Sequence, residues 1–307
     1  MTLAELSSLG IVTSAVLYLV AFIAHSGEWA FLRGIGTDED DLDTRVTSDH
    51  TAQRVRSDTW GRLGIGITVI AAAAHLLGVV TRGLAAGRAP WGNMYEFVTA
   101  ALAFAVVAYL IGVWLFGARW LGIGMTLLLA LGNGLAATVF YVAVAPLVPA
   151  LHSVWFIIHI VAACIAAAAF NIAGIASILH LAKQRAANKA GGEAGLVGFL
   201  SRTPSLRAID TLAYRSVAFG FPVWTFTIAA GSVWAEYAWG RYWGWDPKET
   251  WSLVTWVVYA AYLHARATAG WKGRAAAIIA VIGLITFWFN FIGVNLLING
   301  LHSYAGI

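Results

Sequence analysis

Apolar residues run in blocks of about twenty along the whole chain, separated by short polar segments, which is the length a bilayer core demands of a helix. The blocks fall at roughly residues 7–27, 63–84, 95–116, 120–145, 154–181, 214–235, 250–267 and 275–298. They predict an all-α fold, a polytopic membrane bundle of about eight transmembrane helices. Small residues crowd the blocks, among them Gly122, Gly124, Gly132, Gly134 and the alanine runs at 71–74 and 166–169, and such residues let helices approach closely in lipid. The first block has neither a basic leader nor a small-residue cleavage site, so it reads as a retained helix rather than a signal peptide. No internal repeat and no separate water-soluble domain is visible.

Composition supports this reading. Of 307 residues, 60% are hydrophobic and 11% are charged, whereas an average soluble domain carries about 25% charged residues. The net charge of +4 does not point to nucleic acid, because in a membrane protein the placement of Lys and Arg matters more than their sum. With eight spans, fifteen of the nineteen lie in loops on one side, from Arg33 to Arg274, and only Arg82, Arg88, Arg241 and Lys248 on the other. That asymmetry predicts both termini outside and the larger set in the cytoplasm of a cell whose plasma membrane the chain crosses.

Two parts follow from the pattern. Residues 1–62 hold the first helix and a highly charged, solvated cytoplasmic loop; residues 63–307 form the main membrane domain. A second cytoplasmic connector, 183–207, is rich in Gly, Ala and Lys and has room for a short interfacial helix. The single cysteine, Cys164, sits in the alanine-rich fifth block as a small buried residue, which excludes a disulfide framework and a dithiol of the chain's own.

The outside loop between the sixth and seventh blocks departs from the generic pattern. WAEYAWGRYWGWDPKETW, residues 234–251, holds Trp234, Trp239, Trp243, Trp245 and Trp251. One or two tryptophans would form an aromatic belt; five in 18 residues, interleaved with Gly240, Gly244 and Pro247, are too dense for an anchor. Glycines admit a close backbone approach and indole faces stack on flat rings, while Asp246, Lys248 and Glu249 add polar edges. This chemistry suits a porphyrin.

Neutral imidazole is a usual axial ligand of haem iron. Of the eight histidines, His159 begins the fifth block and His302 follows the eighth, both outside and flanking the Trp-rich segment, so they form a candidate bis-histidine pair. His152 is a spare external candidate. His264 lies about 14 residues, roughly 21 Å, below the outer end of its helix, and an ionisable residue at that depth is a functional candidate. His75, near the middle of the second block, is a weaker one. His25 and His180 fall at cytoplasmic helix ends, where a titratable group is cheap, and His50 falls in the charged loop.

WGRYWGWDPKETWSLVTWVVYAAYLHAR (239–266) resembles the tryptophan-rich signature of the haem-handling proteins of cytochrome c maturation. It is most similar to the CcsA family, also called ResC, and CcsB in some actinobacteria. Three further stretches agree: APWGNMYEF (89–97), LHSVWFIIHI (151–160) and GVNLLINGLHSYAG (293–306). Together they cover most of residues 70–307; residues 1–60 match nothing in that pattern. The resemblance implies haem transport and covalent attachment of haem to apocytochrome c, within a system II cytochrome c synthetase. It implies ferrous haem b as the cargo, a ResB-like membrane subunit as partner, a Cys-x-x-Cys-His segment as acceptor and a thioredoxin-like thiol reductant. It also implies His159 and His302 as external axial ligands, and His264 as the intramembrane ligand whose partner histidine belongs to the other subunit. No conventional acid–base pair or nucleophile is visible, so the protein would contribute orientation and shielding. Two other readings share the chemistry: a CcmC-type haem-delivery protein without attachment activity, and a b-haem redox or channel protein.

Overall fold

A computed structural model of the chain describes residues 1–33, 35 and 44–302, with 44–49 as backbone only. Ten helices follow in order: α1 (Leu3–Phe31), α2 (Thr44–Ala86), α3 (Met94–Phe116), α4 (Gly122–Thr138), α5 (Val154–Lys189), α6 (Phe199–Arg202), α7 (Leu206–Trp239), α8 (Pro247–Thr268), α9 (Arg274–Trp288) and α10 (Val294–Leu297). A π-helical segment, Phe289–Gly293, joins the last two. Among the described residues there is no strand. Short polar side chains start the helices by taking up free N–H groups: Asn93 caps α3, Ser153 caps α5 and Asp246 caps α8.

Among the described residues, seven helical spans are long and apolar enough to cross a membrane, and together with this all-helical architecture they make the chain a multi-pass membrane protein. The eighth expected span, α8, is long enough at 22 residues but is not among the seven. It carries Lys248, Glu249, His264 and Arg266, and it packs against α7 and α9 rather than standing alone. Arg266 makes two bonds to Asp210 of α7 (2.7 and 2.9 Å), with its guanidinium over Tyr214 and Tyr262.

The core has two halves. Ile11, Tyr18, Tyr95, Leu102 and Leu129 join α1 to α4. Phe170, Val217, Trp224, Tyr259 and Phe287 join α5, α7, α8 and α9. The alanines of α5 let large rings approach, and Phe170 stacks on Tyr259 with centroids 3.9 Å apart. α3 packs on α5 and links the halves.

The structure departs from the sequence pattern in several places. The second half of the charged loop is helical, since α2 begins at Thr44 rather than near residue 63. α4 ends at Thr138, and the chain then runs without regular structure towards Pro149 instead of staying helical to 145. Two arginines hold that stretch: Arg82 donates to the Val142 carbonyl (2.7 Å) and Arg88 to that of Ala145 (3.0 Å). Both also pair with the fully buried Glu96, at 2.8 and 2.7 Å, which accepts a further bond from the Gly92 N–H (2.7 Å). The APWGNMYEF stretch thus builds a buried ionic knot. His25 and His180, expected at cheap interfacial positions, are 1% and 3% exposed. Each is tied locally, His25 to Glu28 and His180 to the Leu206 carbonyl. The 183–207 connector contains the single-turn α6, and Cys164 is buried, both as the sequence suggests.

Candidate functional site

The Trp-rich segment is less of a loop than its composition suggests. α7 continues through Trp239 and stops at Gly240, whose positive φ of 68° closes the helix. α8 begins at Pro247 with a reciprocal cap: Asp246 accepts from the α8 backbone and Glu249 returns a bond to the Asp246 N–H. Only residues 240–246 are irregular, and Trp245 sits there with φ 58° and its side chain largely exposed. The segment is therefore two helix ends held at a sharp corner.

His159 and His302 meet at this corner. His159 lies near the start of α5, and its Nδ1 is 2.8 Å from the Thr227 carbonyl of α7. A carbonyl only accepts, so Nδ1 carries the proton and the ring's lone pair is on Nε2. Gly231 makes room for this ring, because a Cβ there would lie 2.6 Å from His159 Nδ1. His302 arrives from the far end of the chain with Nδ1 2.8 Å from Asp246 Oδ1, while Asp246 Oδ2 accepts the Leu301 N–H (2.7 Å). Burial raises the Asp246 pKa, but the bonds from His302 and the Leu301 N–H outweigh it and hold the carboxyl at about 2. Burial lowers the His302 pKa and the bond to Asp246 offsets part of that, and since a carboxylate only accepts, Nδ1 is the donor.

Trp234 packs against both rings. It is stacked on His159 (centroids 5.8 Å, 23°) and edge-on to His302 (5.6 Å, 70°). Its indole N–H donates to the Ala150 carbonyl (2.7 Å), which fixes the ring. Trp239 approaches both Trp234 and His302 at 4.9 Å. Trp243 lies perpendicular to Trp245 at 5.8 Å, and Trp251 turns away to pack on Phe289.

A cavity of about 150 Å³ runs from His302, Trp243 and Trp234 past His159 down to Ala167 and Asn171 in mid-α5. Most of its wall is apolar. Lys248, Glu249 and Asn290 form a polar edge. Lys248 Nζ donates to the Phe291 carbonyl (3.2 Å). Among the described residues, Glu249 Oε1 and Asn290 Oδ1 have no hydrogen-bond partner. Asn290 belongs to the π segment, an irregularity frequent at functional sites.

The other candidates lie apart. His264 is exposed on α8, and His152 is exposed beside the Pro149–Leu151 turn. His75 is fully buried in the other core half. Its Nε2 donates to the Thr99 carbonyl (2.9 Å), and its Nδ1 faces Tyr18 Oη and Asn133 Nδ2 (3.2 and 3.3 Å). Both ring nitrogens of His75 are therefore engaged within the core. Ser303 to Gly306 of the terminal motif lie outside the described residues. Sequence reasoning missed Gly231, Thr227 and Asn290. A glycine in mid-helix was the one visible signal, while Thr227 acts through its backbone and Asn290 through a π turn.

Residues 67–302 match the family described as cytochrome C assembly protein. The chain belongs to this family. Among curated members, cytochrome c biogenesis protein CcsA of Guillardia theta is 37% identical over 259 residues, covering 79% of this chain and 85% of that one. Those of Picosynechococcus and Microcystis aeruginosa are 34% and 37% identical, each over about four-fifths of this chain and 87–88% of theirs. Among solved structures, cytochrome c haem lyase CcmF superposes on the whole of this chain with a TM-score of 0.58 at 16% identity. This chain spans about half of that one, and the likeness is one of fold. Haem handling in cytochrome c biogenesis is the role of the family, with apocytochrome c as the substrate. The chemistry at the corner suits a haem: two imidazoles each held through Nδ1 by an oxygen acceptor, indoles packed around them, an apolar cavity, and a glycine that leaves space for one ring.

Proposed function

We propose that the cavity holds ferrous haem b between His159 and His302, bound through Nε2 of each, and presents it for covalent attachment to apocytochrome c. The observation that carries the reading is the pair itself. Two imidazoles from distant parts of the chain line one cavity, and each is oriented by a bond from Nδ1 to an oxygen acceptor. Two such ligands keep iron six-coordinate and limit attack by oxygen. Each cysteine of a Cys-x-x-Cys-His segment then adds across one vinyl group, sulfur to the carbon next to the ring and hydrogen to the terminal carbon. The segment's histidine replaces one of the two imidazoles and so releases the product. The tryptophans fix the porphyrin plane, and Lys248 and Glu249 suit its polar edge.

The test is replacement of either histidine. His159→Ala and His302→Ala should each weaken haem retention, let bound haem oxidise and stop cytochrome c assembly. Added imidazole should refill the missing position and restore part of the six-coordinate spectrum. Two alanine variants with unchanged ferrous spectra and full assembly would remove the site.

The reading extends to partners and orientation. His264 is exposed on α8, which suits a covering ResB-like subunit that supplies the second ligand of an inner haem position. A thioredoxin-like protein would keep the acceptor thiols reduced. The platform end is the extracytoplasmic face of the plasma membrane, with both termini outside. Reporter fusions after Ser201 should therefore read cytoplasmic and fusions after Arg241 external; the reverse result would invert the site.

A further inference from the structure

We infer that Asp246 is a positioning residue that makes the two iron ligands unequal, holding His302 as the retained ligand and leaving His159 to yield to the incoming apocytochrome histidine. The inference rests on the haem reading above and deepens it. The backbone alone argues the opposite order. His159 stands on a long helix, whereas His302 sits on a short irregular segment after α10, and one would expect the looser segment to swing away.

The hydrogen bonds reverse that order. Nδ1–H of His159 meets a neutral backbone carbonyl, that of Thr227. Nδ1–H of His302 meets a carboxylate, Asp246 Oδ1. A charge-assisted bond is roughly twice as strong as a neutral one, and a carboxylate behind a ligating imidazole raises its basicity and fixes its orientation. Asp246 is itself immobile. It caps α8 by accepting the Lys248 N–H (3.1 Å), and its other oxygen accepts the Leu301 N–H (2.7 Å), which pins the backbone beside His302. The carboxylate is only 7% exposed, so water does little to dilute its field at the imidazole. Gly300 takes part too, since a Cβ there would lie 2.6 Å from Asp246 Oδ2; the terminal segment passes too close to the carboxylate for any side chain. Releasing His302 means breaking a charged bond and unpinning this segment. Releasing His159 means turning one ring away from a neutral carbonyl.

The experiment uses the full chain with its partner subunit, loaded with haem, and two variants, Asp246→Asn and Asp246→Ser. Both keep a side chain able to cap α8 and both remove the carboxylate, so an effect common to the two is not a folding defect. The first reading is the reduction potential of the external haem. A carboxylate-backed imidazole favours the ferric state, and outer-shell partners of metal-bound histidines shift affinity 10–100-fold. The potential should therefore rise by roughly 60–120 mV, the one-electron equivalent of that range. The second reading is the iron–carbon stretching band after carbon monoxide displaces the weaker ligand from ferrous haem. With His302 retained opposite carbon monoxide, the band should move in both variants. Unchanged potential in haem-loaded variants would overturn the inference. A shifted potential with an unmoved band would mean that His302 is the ligand lost, and would overturn the order. A wild-type protein with no six-coordinate external haem would instead sink the haem reading itself.

Discussion

Glu96→Ala is expected to be the most destabilising single change at the platform end, at about 3–5 kcal/mol, because it leaves a buried and a half-buried arginine without their shared counter-charge. Arg82 is 2% exposed and Glu96 is wholly buried. In the native fold Glu96 takes four donors: Arg82, Arg88, the Gly92 N–H and the Asn93 side chain. The same arginines hold the Val142 and Ala145 carbonyls, so the loss should spread to the 139–150 stretch. That stretch ends at Ala150, whose carbonyl fixes the Trp234 indole. The variant should melt several degrees lower and lose haem without any change to an iron ligand. Thermal unfolding in detergent, followed with and without haem, tests this. A melting temperature equal to that of the wild type would show that the knot holds nothing together.

His264→Ala is expected to empty both haem positions, and His302→Ala only the outer one. Sixteen residues of α8 separate Lys248, at the cavity, from His264, a helix rise of roughly 24 Å. One haem cannot touch both ends, so the reading requires two positions used in order, with entry at His264. Haem content and spectra of the two variants, each co-expressed with the ResB-like subunit, decide the matter. If His264→Ala emptied the inner position yet left the outer one full, haem would be arriving by another route.

Fold class was legible because bilayer thickness writes itself into the length of apolar runs. Where runs had polar neighbours, legibility failed. α2 begins about twenty residues early because a helix does not end where hydropathy ends, and α4 stops short because two distant arginines claim carbonyls that a helix would have used. α8 fails a purely apolar test although it packs within the bundle, since Asp210 answers its Arg266. At the corner, the sequence singled out residues that the fold brings together: His159, His302, Asp246, Trp234 and Trp239. Trp239, Trp245 and Trp251 share the motif but do not line the cavity, a distinction of helix face and corner geometry that composition does not carry. The role of Asp246 was half visible, as a polar edge; its pairing with His302, 56 residues away, needed the fold.

The grip of Asp246 on Leu301 and His302 also sets an order on biosynthesis. A helix carrying Lys248, Glu249, His264 and Arg266 inserts poorly by itself, since charged residues cost about 2.5–3.5 kcal/mol each at mid-membrane and less towards the ends. α8 gains its compensation from Asp210 before it, and buries its tyrosines against α9 after it. The platform's polar cap is then closed by a backbone N–H and an imidazole that leave the ribosome more than fifty residues later. A nascent chain stalled after α8 carries every tryptophan of the corner and still presents an open one. The corner is thus the last part of the bundle to close, after the chain around Leu301 has been made.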